Sequence, residues 1–307
     1  MRYVIIGGSA AAIGWIEGVR SVDKTGEIIL ITGETEWNYS RPLISYLLEG
    51  KTTRDKMWCR PDSFFTRNGV TVKAGVLATT LDAGDRTVRL STGERLAYDR
   101  LLAATGSRPF VPPIPGLETV ERTFCFQTLS DASALAEALR PESRVLILGA
   151  GLTGVKCAEG IRGLCAQIAI ADLAPRVLPA VLDDTAAAMV QARMEEKGVR
   201  FYLNDSAAAF RGNTARLQSG TELEFDVLVT AVGVRPNTQL VADAGGAVDR
   251  GILVDGRCAT TLPDVYAAGD CAQGYDAVSG EKRMLPLWPN AMLQGETAGI
   301  NMAGGRA

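Results

Sequence analysis

The chain has 307 residues, of which 47% are hydrophobic and 22% charged, and its net charge is -3. A chain of this length usually divides into two domains, and the composition is that of a globular protein. The charge balance gives no electrostatic footprint for nucleic acid, and no apolar run is long enough to cross a bilayer. The first residues enter a strand at once, which leaves no room for a signal peptide. We therefore expect a cytoplasmic protein without nucleic-acid or membrane partners.

Histidine is absent from the chain, and the six cysteines form no CxxC pair and show no zinc-ligand spacing. This excludes Ser-His-Asp hydrolysis, Cys-His chemistry and histidine-ligated metals. We expect buried, reduced thiols and no metal site. The chemistry must then come from a cofactor or from Lys, Tyr, Asp or Glu side chains.

The first predicted element is a strand, a tight turn and a helix, in residues 3–20, "YVIIGGSAAAIGWIEGVR". A dinucleotide-binding turn carries glycine at three positions, which are occupied here by Gly7, Ser9 and Ala12, with Ala10 and Ala11 before the last. Alanine is tolerated at the third position, and the serine hydroxyl could bond a diphosphate oxygen. The turn therefore predicts a dinucleotide site, although its motif is imperfect.

The next predicted strand, residues 28–32, is followed by Glu34. An acid in this place can bind a ribose hydroxyl. A solvated turn residue is an equally good interpretation of Glu34.

A hairpin and a buried strand ending in a glycine loop are predicted for residues 87–109, "TVRLSTGERLAYDRLLAATGSRP". Residues 214–236 repeat this segment with eleven identities in 23 positions. Residues 145–162 likewise repeat residues 3–20, so that Gly149 falls on Gly7. The chain thus contains two copies of one unit, and we expect two dinucleotide sites rather than one duplicated scaffold.

The second turn, "LILGAGLTG", is a complete GxGxxG motif between a strand and a helix. Its glycines are Gly149, Gly151 and Gly154, with Leu152 and Thr153 at the helix start. The glycines permit the turn, the approach of the pyrophosphate and close helix packing, while the helix N-terminus attracts phosphate.

Asp172 ends the strand that follows this helix. An acid there suits a ribose 2′-hydroxyl and repels a 2′-phosphate, so we expect NAD(H) rather than NADP(H). The nearby Arg176, which could accommodate a 2′-phosphate, keeps the second alternative open.

Seven segments in this order resemble the pyridine nucleotide-disulfide oxidoreductase superfamily of two-dinucleotide-domain flavoproteins. Within it the chain is similar to the rubredoxin-reductase and nitrite-reductase-flavodomain branch. The segments are "YSRPLISYLLEGK", "LLAATGSRP", "GAGLTGVKCAE", "APRVLP", "AVGVRPN", "VYAAGDCA" and "LWPNAMLQGETAGINMAG". The resemblance covers almost the whole chain.

The resemblance implies further cofactor-binding residues. For FAD they are Arg41 and Pro42 in the cleft, Ala104, Thr105 and Gly106 in the packing loop, Gly269 and Asp270 at the ribityl chain, and Leu287 and Trp288 beside the isoalloxazine. For the nicotinamide nucleotide they are Val232 and Gly233. Taken alone, Asp270 could equally be a helix N-cap, Trp288 a core residue and Arg41 a surface charge.

The chain departs from the resembled pattern at the flavin. It has no cysteine pair and no cysteine in residues 39–51, which excludes a redox disulfide and a coenzyme A-disulfide mechanism. Many relatives pair a Lys with a Glu beside the flavin, and Tyr46 and Lys156 occupy those positions here. We hypothesise that Lys156, as a cation alone, raises the flavin potential by at most ~4 kcal/mol of attraction. Alternatively its stem packs on the helix with the ammonium in water.

We therefore predict an α/β protein of two nested Rossmann-like domains, of the three-layer ββα type with hairpin and meander excursions. The FAD domain comprises residues 1–111 and 243–307, and the NAD(H) domain comprises residues 112–242. Relatives usually continue into a third, C-terminal domain, which we expect to be missing here.

The expected function is transfer of a hydride from NAD(P)H to FAD and of electrons onward to a rubredoxin- or ferredoxin-like protein. An NADH oxidase and a flavin-binding subunit or redox sensor with little turnover are the alternatives. The oligomeric state and the acceptor stay open.

Overall fold

The computed structural model describes residues 1–307, which form two compact units. The first unit contains residues 1–40, 58–107 and 236–307, and the second contains residues 41–57 and 108–235. No helix is long and apolar enough to span a membrane. The boundaries predicted for the two functional domains, at 111/112 and 242/243, stay a prediction.

The chain forms eight α-helices and 21 strands. The helices are α1 Ala10–Val22, α2 Ile44–Leu48, α3 Asp62–Arg67, α4 Leu129–Ala138, α5 Leu152–Ile161, α6 Asp184–Glu195, α7 Gln239–Asp243 and α8 Trp288–Met302. The strands are β1 Arg2–Ile6, β2 Glu27–Thr32, β3 Val70–Ala74, β4 Ala78–Asp82, β5 Thr87–Leu90, β6 Arg95–Ala97, β7 Arg100–Ala103, β8 Ser107–Pro109, β9 Thr123–Phe124, β10 Arg144–Leu148, β11 Gln167–Asp172, β12 Val199–Leu203, β13 Ala207–Arg211, β14 Thr214–Leu217, β15 Glu222–Glu224, β16 Val227–Thr230, β17 Val234–Pro236, β18 Ile252–Leu253, β19 Val265–Ala267, β20 Ala272–Tyr275 and β21 Lys282–Arg283.

The first unit is built on a parallel sheet of order β3-β2-β1-β7-β19. Because successive side chains alternate between faces, Tyr3 and Ile5 join the core under α1 and α8, while Val4 and Ile6 join the core on the other side. That second core includes Val88 and its neighbours from the antiparallel β4-β5-β6 meander. The result is three layers, with helices on one face of the sheet and a meander on the other.

Helices α1 and α8 approach each other closely through glycines. A Cβ on Gly14 would lie 2.1 Å from the carbonyl oxygen of Met292, and one on Gly295 would lie 2.1 Å from that of Ala11. Trp15 is fully buried in this layer and donates its indole N–H to the sulfur of Met302 at 3.0 Å. No side chain larger than hydrogen fits at these crossings, so the two helices form one rigid layer.

The second unit has the same plan, with a parallel sheet of order β12-β11-β10-β16-β9 and the meander β13-β14-β15. Leu146 and Leu148 of the sheet share a core with Phe210 and Phe225 of the meander. Helix α2 belongs to this unit and packs on α5, where a Cβ on Gly160 would lie 2.9 Å from the carbonyl oxygen of Ser45.

The sequence repeat is also a repeat of hydrogen bonds. In the first unit the Arg2 amide donates to the Asp99 carboxylate at 2.6 Å, and in the second unit the Arg144 amide donates to the Asp226 carboxylate at 2.8 Å. Each aspartate amide in turn donates to the carbonyl of the same arginine. The prediction of two Rossmann-like units of the three-layer ββα type is confirmed.

Candidate functional site

The first glycine turn joins β1 to α1. Gly7 has a φ of +126°, and a Cβ there would lie 2.0 Å from the carbonyl oxygen of Ala104. The amide of Ala104 donates to the carbonyl of Ile6 at 2.8 Å, which holds the 104–106 loop beside the turn. Only glycine fits such a turn, because an L side chain is disfavoured at this φ and the space is filled. The structure thus brings two sequence-predicted segments together at the carboxyl edge of one sheet.

Helix α1 begins without a side-chain cap. Ser9 is its N-cap residue in extended conformation but makes no capping bond, and the first turn contains no acid. By contrast, the side chain of Thr128 caps α4 and that of Asp183 caps α6. The first amides of α1 and its positive dipole end are therefore available to a diphosphate. Ala10, Ala11 and Ala12 are buried behind this N-terminus.

The 104–106 loop is locked by Asn237, a residue to which the sequence reasoning gave no role. Thr105 donates its hydroxyl to the carbonyl of Asn237 at 2.6 Å, and the Asn237 side-chain amide donates to the carbonyl of Thr105 at 2.9 Å. Gly106 follows with a φ of +65°. The "VRPN" segment contained Asn237, but only the fold shows that it is the partner of Thr105.

Glu34 lies after β2 and is not merely solvated. The Tyr39 hydroxyl donates to its carboxylate at 2.7 Å. Next to it, the Trp37 ring would be 3.1 Å from a Cβ on Gly8, and its centroid lies 4.6 Å from that of Phe65. The carboxylate is therefore oriented beside an aromatic wall, an arrangement suited to a ribose and a flat base. Sequence reasoning found the acid but missed the aromatic residues, which are distant from the turn along the chain.

Asp270 follows β19 at the same edge of the sheet. It accepts a hydrogen bond from the Ser107 hydroxyl at 3.3 Å. Gly269, with a φ of +79°, donates its amide to the side-chain oxygen of Gln294 at 2.9 Å. The next element is the strand β20, so Asp270 is not a helix N-cap.

Three other residues expected beside FAD lie at helix starts. Leu287 is 60% exposed and Trp288 is 39% exposed at the beginning of α8, so Trp288 is not a core side chain. Arg41 and Pro42 lie in a short 3₁₀ helix of the second unit, where the Arg41 guanidinium donates to the carbonyl of Gln127 at 3.2 Å. Their role toward FAD stays a prediction.

The second glycine turn joins β10 to α5, and its three glycines have distinct surroundings. Gly149 has a φ of +110°, and a Cβ there would lie 2.4 Å from the carbonyl oxygen of Ala231. A Cβ on Gly154 would lie 1.9 Å from the carbonyl oxygen of Gly149, whereas a Cβ on Gly151 meets no atom within 4 Å. Gly149 and Gly154 are thus required by the protein itself, while the open space at Gly151 is where a pyrophosphate can approach.

Helix α5 also starts uncapped. Gly151 is its N-cap residue, no side chain caps it, and its first turn holds no acid. Leu152 is 63% exposed and Thr153 is exposed beside it. Val232 and Gly233, after β16, are exposed as well, and Gly233 has a φ of +118°. These residues surround an open anion-binding N-terminus equivalent to that of α1.

Asp172 ends β11 and braces the second turn. Its carboxylate accepts the amide of Ala150 at 2.5 Å and that of Ala174 at 2.7 Å. Arg176 is engaged in its own loop: the guanidinium donates to the carbonyl of Leu182 at 3.2 Å and pairs with Asp184 at 3.1 Å. A negative charge is therefore fixed at the turn, while the cation that could neutralise a 2′-phosphate is occupied.

Lys156 is not an isolated cation, and that expectation is wrong. Its ammonium contacts the Glu159 carboxylate one helical turn away and lies 4.2 Å from the centroid of the Tyr46 ring. Lys51 lies 3.9 Å from the same carboxylate and pairs with Glu49 at 2.9 Å. The hydrogen bond from Lys156 holds the pKa of Glu159 below its ordinary value. Because i and i+3 side chains share a helix face, Glu159 neutralises the charge that the sequence reasoning had left alone.

All six cysteines are free thiols. Burial raises the pKa of Cys165 to about 11 and that of Cys258 to about 12, and it also raises the pKa of Cys157. Thiols with a raised pKa are poor nucleophiles. No group of three or more His, Cys, Asp and Glu side chains is arranged to hold a metal ion.

The comparisons with known proteins agree with this geometry. Residues 1–295 match the family described as pyridine nucleotide-disulphide oxidoreductase. The chain is 33% identical over 307 residues to the NADH-dependent phenylglyoxylate dehydrogenase subunit epsilon of Aromatoleum evansii, with 99% of this chain and 72% of the relative covered. It is 28% identical over 310 residues to the rubredoxin-NAD(+) reductase of Pseudomonas putida, with 99% and 80% covered.

Among solved structures, the crystal structure of the covalent putidaredoxin reductase-putidaredoxin complex superposes with a TM-score of 0.92 at 26% identity. It covers 99% of this chain and 76% of the other. The predicted superfamily and its rubredoxin-reductase branch are confirmed, as are an oxidoreductase activity and the pair of cofactors FAD and NAD(H). The chain belongs to the pyridine nucleotide-disulphide oxidoreductase family.

Proposed function

We propose that this protein takes a hydride from NADH and passes electrons through FAD to a small redox protein. The observation that carries the proposal is the pair of equivalent cradles. In each, a glycine with positive φ faces a carbonyl of the neighbouring loop, Gly7 with Ala104 and Gly149 with Ala231. Each cradle opens onto a helix whose first amides have no side-chain cap and no acid in the first turn. When bound, FAD supplies the capacity to accept a hydride and release electrons.

We assign FAD to the first unit. The α1 amides and Ser9 would hold the diphosphate, and Glu34, oriented by Tyr39, would bind the adenosine ribose. Asp270 would accept from a ribityl hydroxyl, and the Thr105 loop would support the ring system. The functional FAD domain then comprises residues 1–111 and 243–307.

We assign NADH to the second unit, with the functional domain at residues 112–242. Gly151 leaves the space for the pyrophosphate, and the α5 amides attract it. Asp172 disfavours a 2′-phosphate, and Arg176 is held by Leu182 and Asp184, which supports NADH over NADPH. Val232 and Gly233 would flank the nicotinamide. These residues bind and orient, and alignment alone can lower a barrier by ~7–11 kcal/mol.

A rubredoxin- or ferredoxin-like protein is the proposed acceptor. The support is that one relative is named rubredoxin-NAD(+) reductase and that a structural neighbour was crystallised with putidaredoxin. The cysteines offer no alternative route, because the thiols of Cys157, Cys165 and Cys258 have raised pKa values. The cytoplasmic location expected from the sequence stays a prediction.

Anaerobic rapid mixing of the FAD-loaded protein with NADH tests the proposal. We expect the visible flavin absorbance to bleach within seconds and to return when an oxidised rubredoxin or ferredoxin is added. Persistent yellow colour would refute an enzyme and favour a flavin-binding sensor. Bleaching reversed only by oxygen would favour an oxidase.

The Gly149→Ala variant is the matched control for this mixing experiment. It should stay yellow with NADH, because its second cradle is blocked while its first is intact.

A further inference from the structure

Helix α6 packs loosely on the second unit. Ala187 is its one buried residue, and Met189 is 70% exposed. Between α6, α5 and the start of β12 lies a cavity of about 310 Å³. Its floor is apolar and includes Val155, Ala158 and Met194. A volume of this size is at the lower end of small-molecule sites.

The rim of this cavity carries cations. Arg162, Arg193 and Lys197 line it together with one acid, Glu159. Glu159 is held by Lys156, and Arg193 pairs with Glu196 at 2.7 Å. Arg162 and Lys197 form no ion pair. Two uncompensated positive charges therefore border an apolar floor.

The cavity is separate from the NADH cradle. Arg162 is at the C-terminal end of α5, and Gly151 is at its N-terminal end. A helix of 10 residues is ~15 Å long, so a ligand here would not reach the pyrophosphate position.

We propose that the α5–α6 cavity is a second binding site, for a small amphipathic carboxylate with an acyl or aryl body. The apolar body would lie over Val155, Ala158 and Met194, and the carboxylate would pair with Arg162 and Lys197. The small volume favours a single short chain or ring over a helix of a partner protein. The unpaired cations favour an anionic over a neutral ligand, because a charged head gains charge-assisted hydrogen bonds. This site goes beyond the proposed electron transfer and does not depend on it.

Calorimetric titration with octanoate tests the site. The full-length protein is first saturated with FAD and NAD+, so that no diphosphate cradle is open to an added anion. We expect one octanoate per chain and at least about tenfold weaker binding of octanol. Absence of octanoate binding at millimolar concentration would overturn the proposal.

Variants locate the ligand within the chain. Arg162→Gln combined with Lys197→Gln should weaken octanoate at least about tenfold, and Met189→Glu should do so by adding a negative charge to the exposed edge of α6. Val181→Glu, at a side chain 66% exposed outside the cavity lining, is the matched control and should leave octanoate binding unchanged.

Equal octanoate binding by all variants would refute the site. Concentration-dependent dimerisation that is lost in the Arg162/Lys197 variant would also refute it, in favour of an interface between two copies of the chain.

Discussion

A Cβ placed on Gly149 would lie 2.4 Å from the carbonyl oxygen of Ala231, the same relationship that joins Gly7 to Ala104 in the first unit. In both units the turn that would bind a diphosphate is thus built against the loop at the end of the adjacent strand. A change at either glycine therefore acts on the fold and on the binding site together.

We predict that Gly149→Ala lowers the free energy of unfolding by about 1–3 kcal/mol, because alanine is strained at this φ and its Cβ collides with Ala231. Urea unfolding measures this change. Gly163→Ala is the control, since a Cβ there meets no atom within 4 Å. Equal stabilities of the two variants would contradict the turn geometry.

Gly151→Ala should separate binding from stability. A Cβ at Gly151 meets no protein atom within 4 Å, so the unfolding midpoint should change little, while the methyl group takes the space of the pyrophosphate. We expect NADH affinity to fall at least about tenfold in a fluorescence titration, with FAD content unchanged. Unaltered NADH affinity would place the pyrophosphate elsewhere.

Asn237→Ala should loosen the Thr105 loop. The substitution removes the amide bond to the Thr105 carbonyl, at a cost of about 1–3 kcal/mol for a group left unpaired. We predict weaker FAD retention on gel filtration and normal NADH binding. Gln239→Ala removes a nearby exposed amide that bonds only Asp243, and it should retain flavin as the parent does.

Asp172→Asn should shift the cofactor preference toward NADPH. Removing the carboxylate charge relieves repulsion of a 2′-phosphate, and we expect the ratio of NADPH to NADH affinity to rise about tenfold. Glu195→Gln, an exposed loss of one charge on α6, should leave the ratio unchanged. An unchanged ratio in Asp172→Asn would mean that Asp172 only braces the turn through Ala150 and Ala174.

The stability of the first unit should depend on Asp23 at acid pH. Backbone hydrogen bonds from Thr25 and Gly26 lower the pKa of Asp23 to about 2, and the Tyr3 hydroxyl adds a bond at 2.9 Å. Since the folded pKa is below the unfolded value of 3.8, the stabilisation is present above about pH 4 and is lost as pH falls toward about 2. The stability difference between the parent and Asp23→Asn should therefore shrink over this range in urea unfolding. A difference independent of pH would refute the assignment to the ionised carboxylate.

Local patterns predicted the turns, because strand, glycine and helix signals lie within about twenty residues of one another. The repeat likewise predicted that Asp99 and Asp226 occupy equivalent places, and both bind the arginine that starts a central strand. The partner of Thr105 was not predictable, because Asn237 is 132 residues away and reaches it only through the fold.

Two further features depended on packing. Residues 41–57 join the second unit through contact of α2 with α5, which no local signal in the "YSRPLISYLLEGK" segment indicates. The Lys156–Glu159 pair was readable from its i, i+3 spacing, but the contact of Lys156 with Tyr46 joins helices more than a hundred residues apart. Spacing predicts neighbours within a helix and is silent about neighbours between helices.

The glycine-lined crossing of α1 and α8 also constrains how the chain can fold as it is synthesised. The partner surface of Gly14 and Gly18 is made of Met292 and Glu296, which leave the ribosome after nearly the entire chain has been translated. Until then α1 presents an unfilled apolar face, whereas the strands β9 to β16 are already available to assemble. Nascent-chain folding should therefore be completed last at the very segment that was translated first.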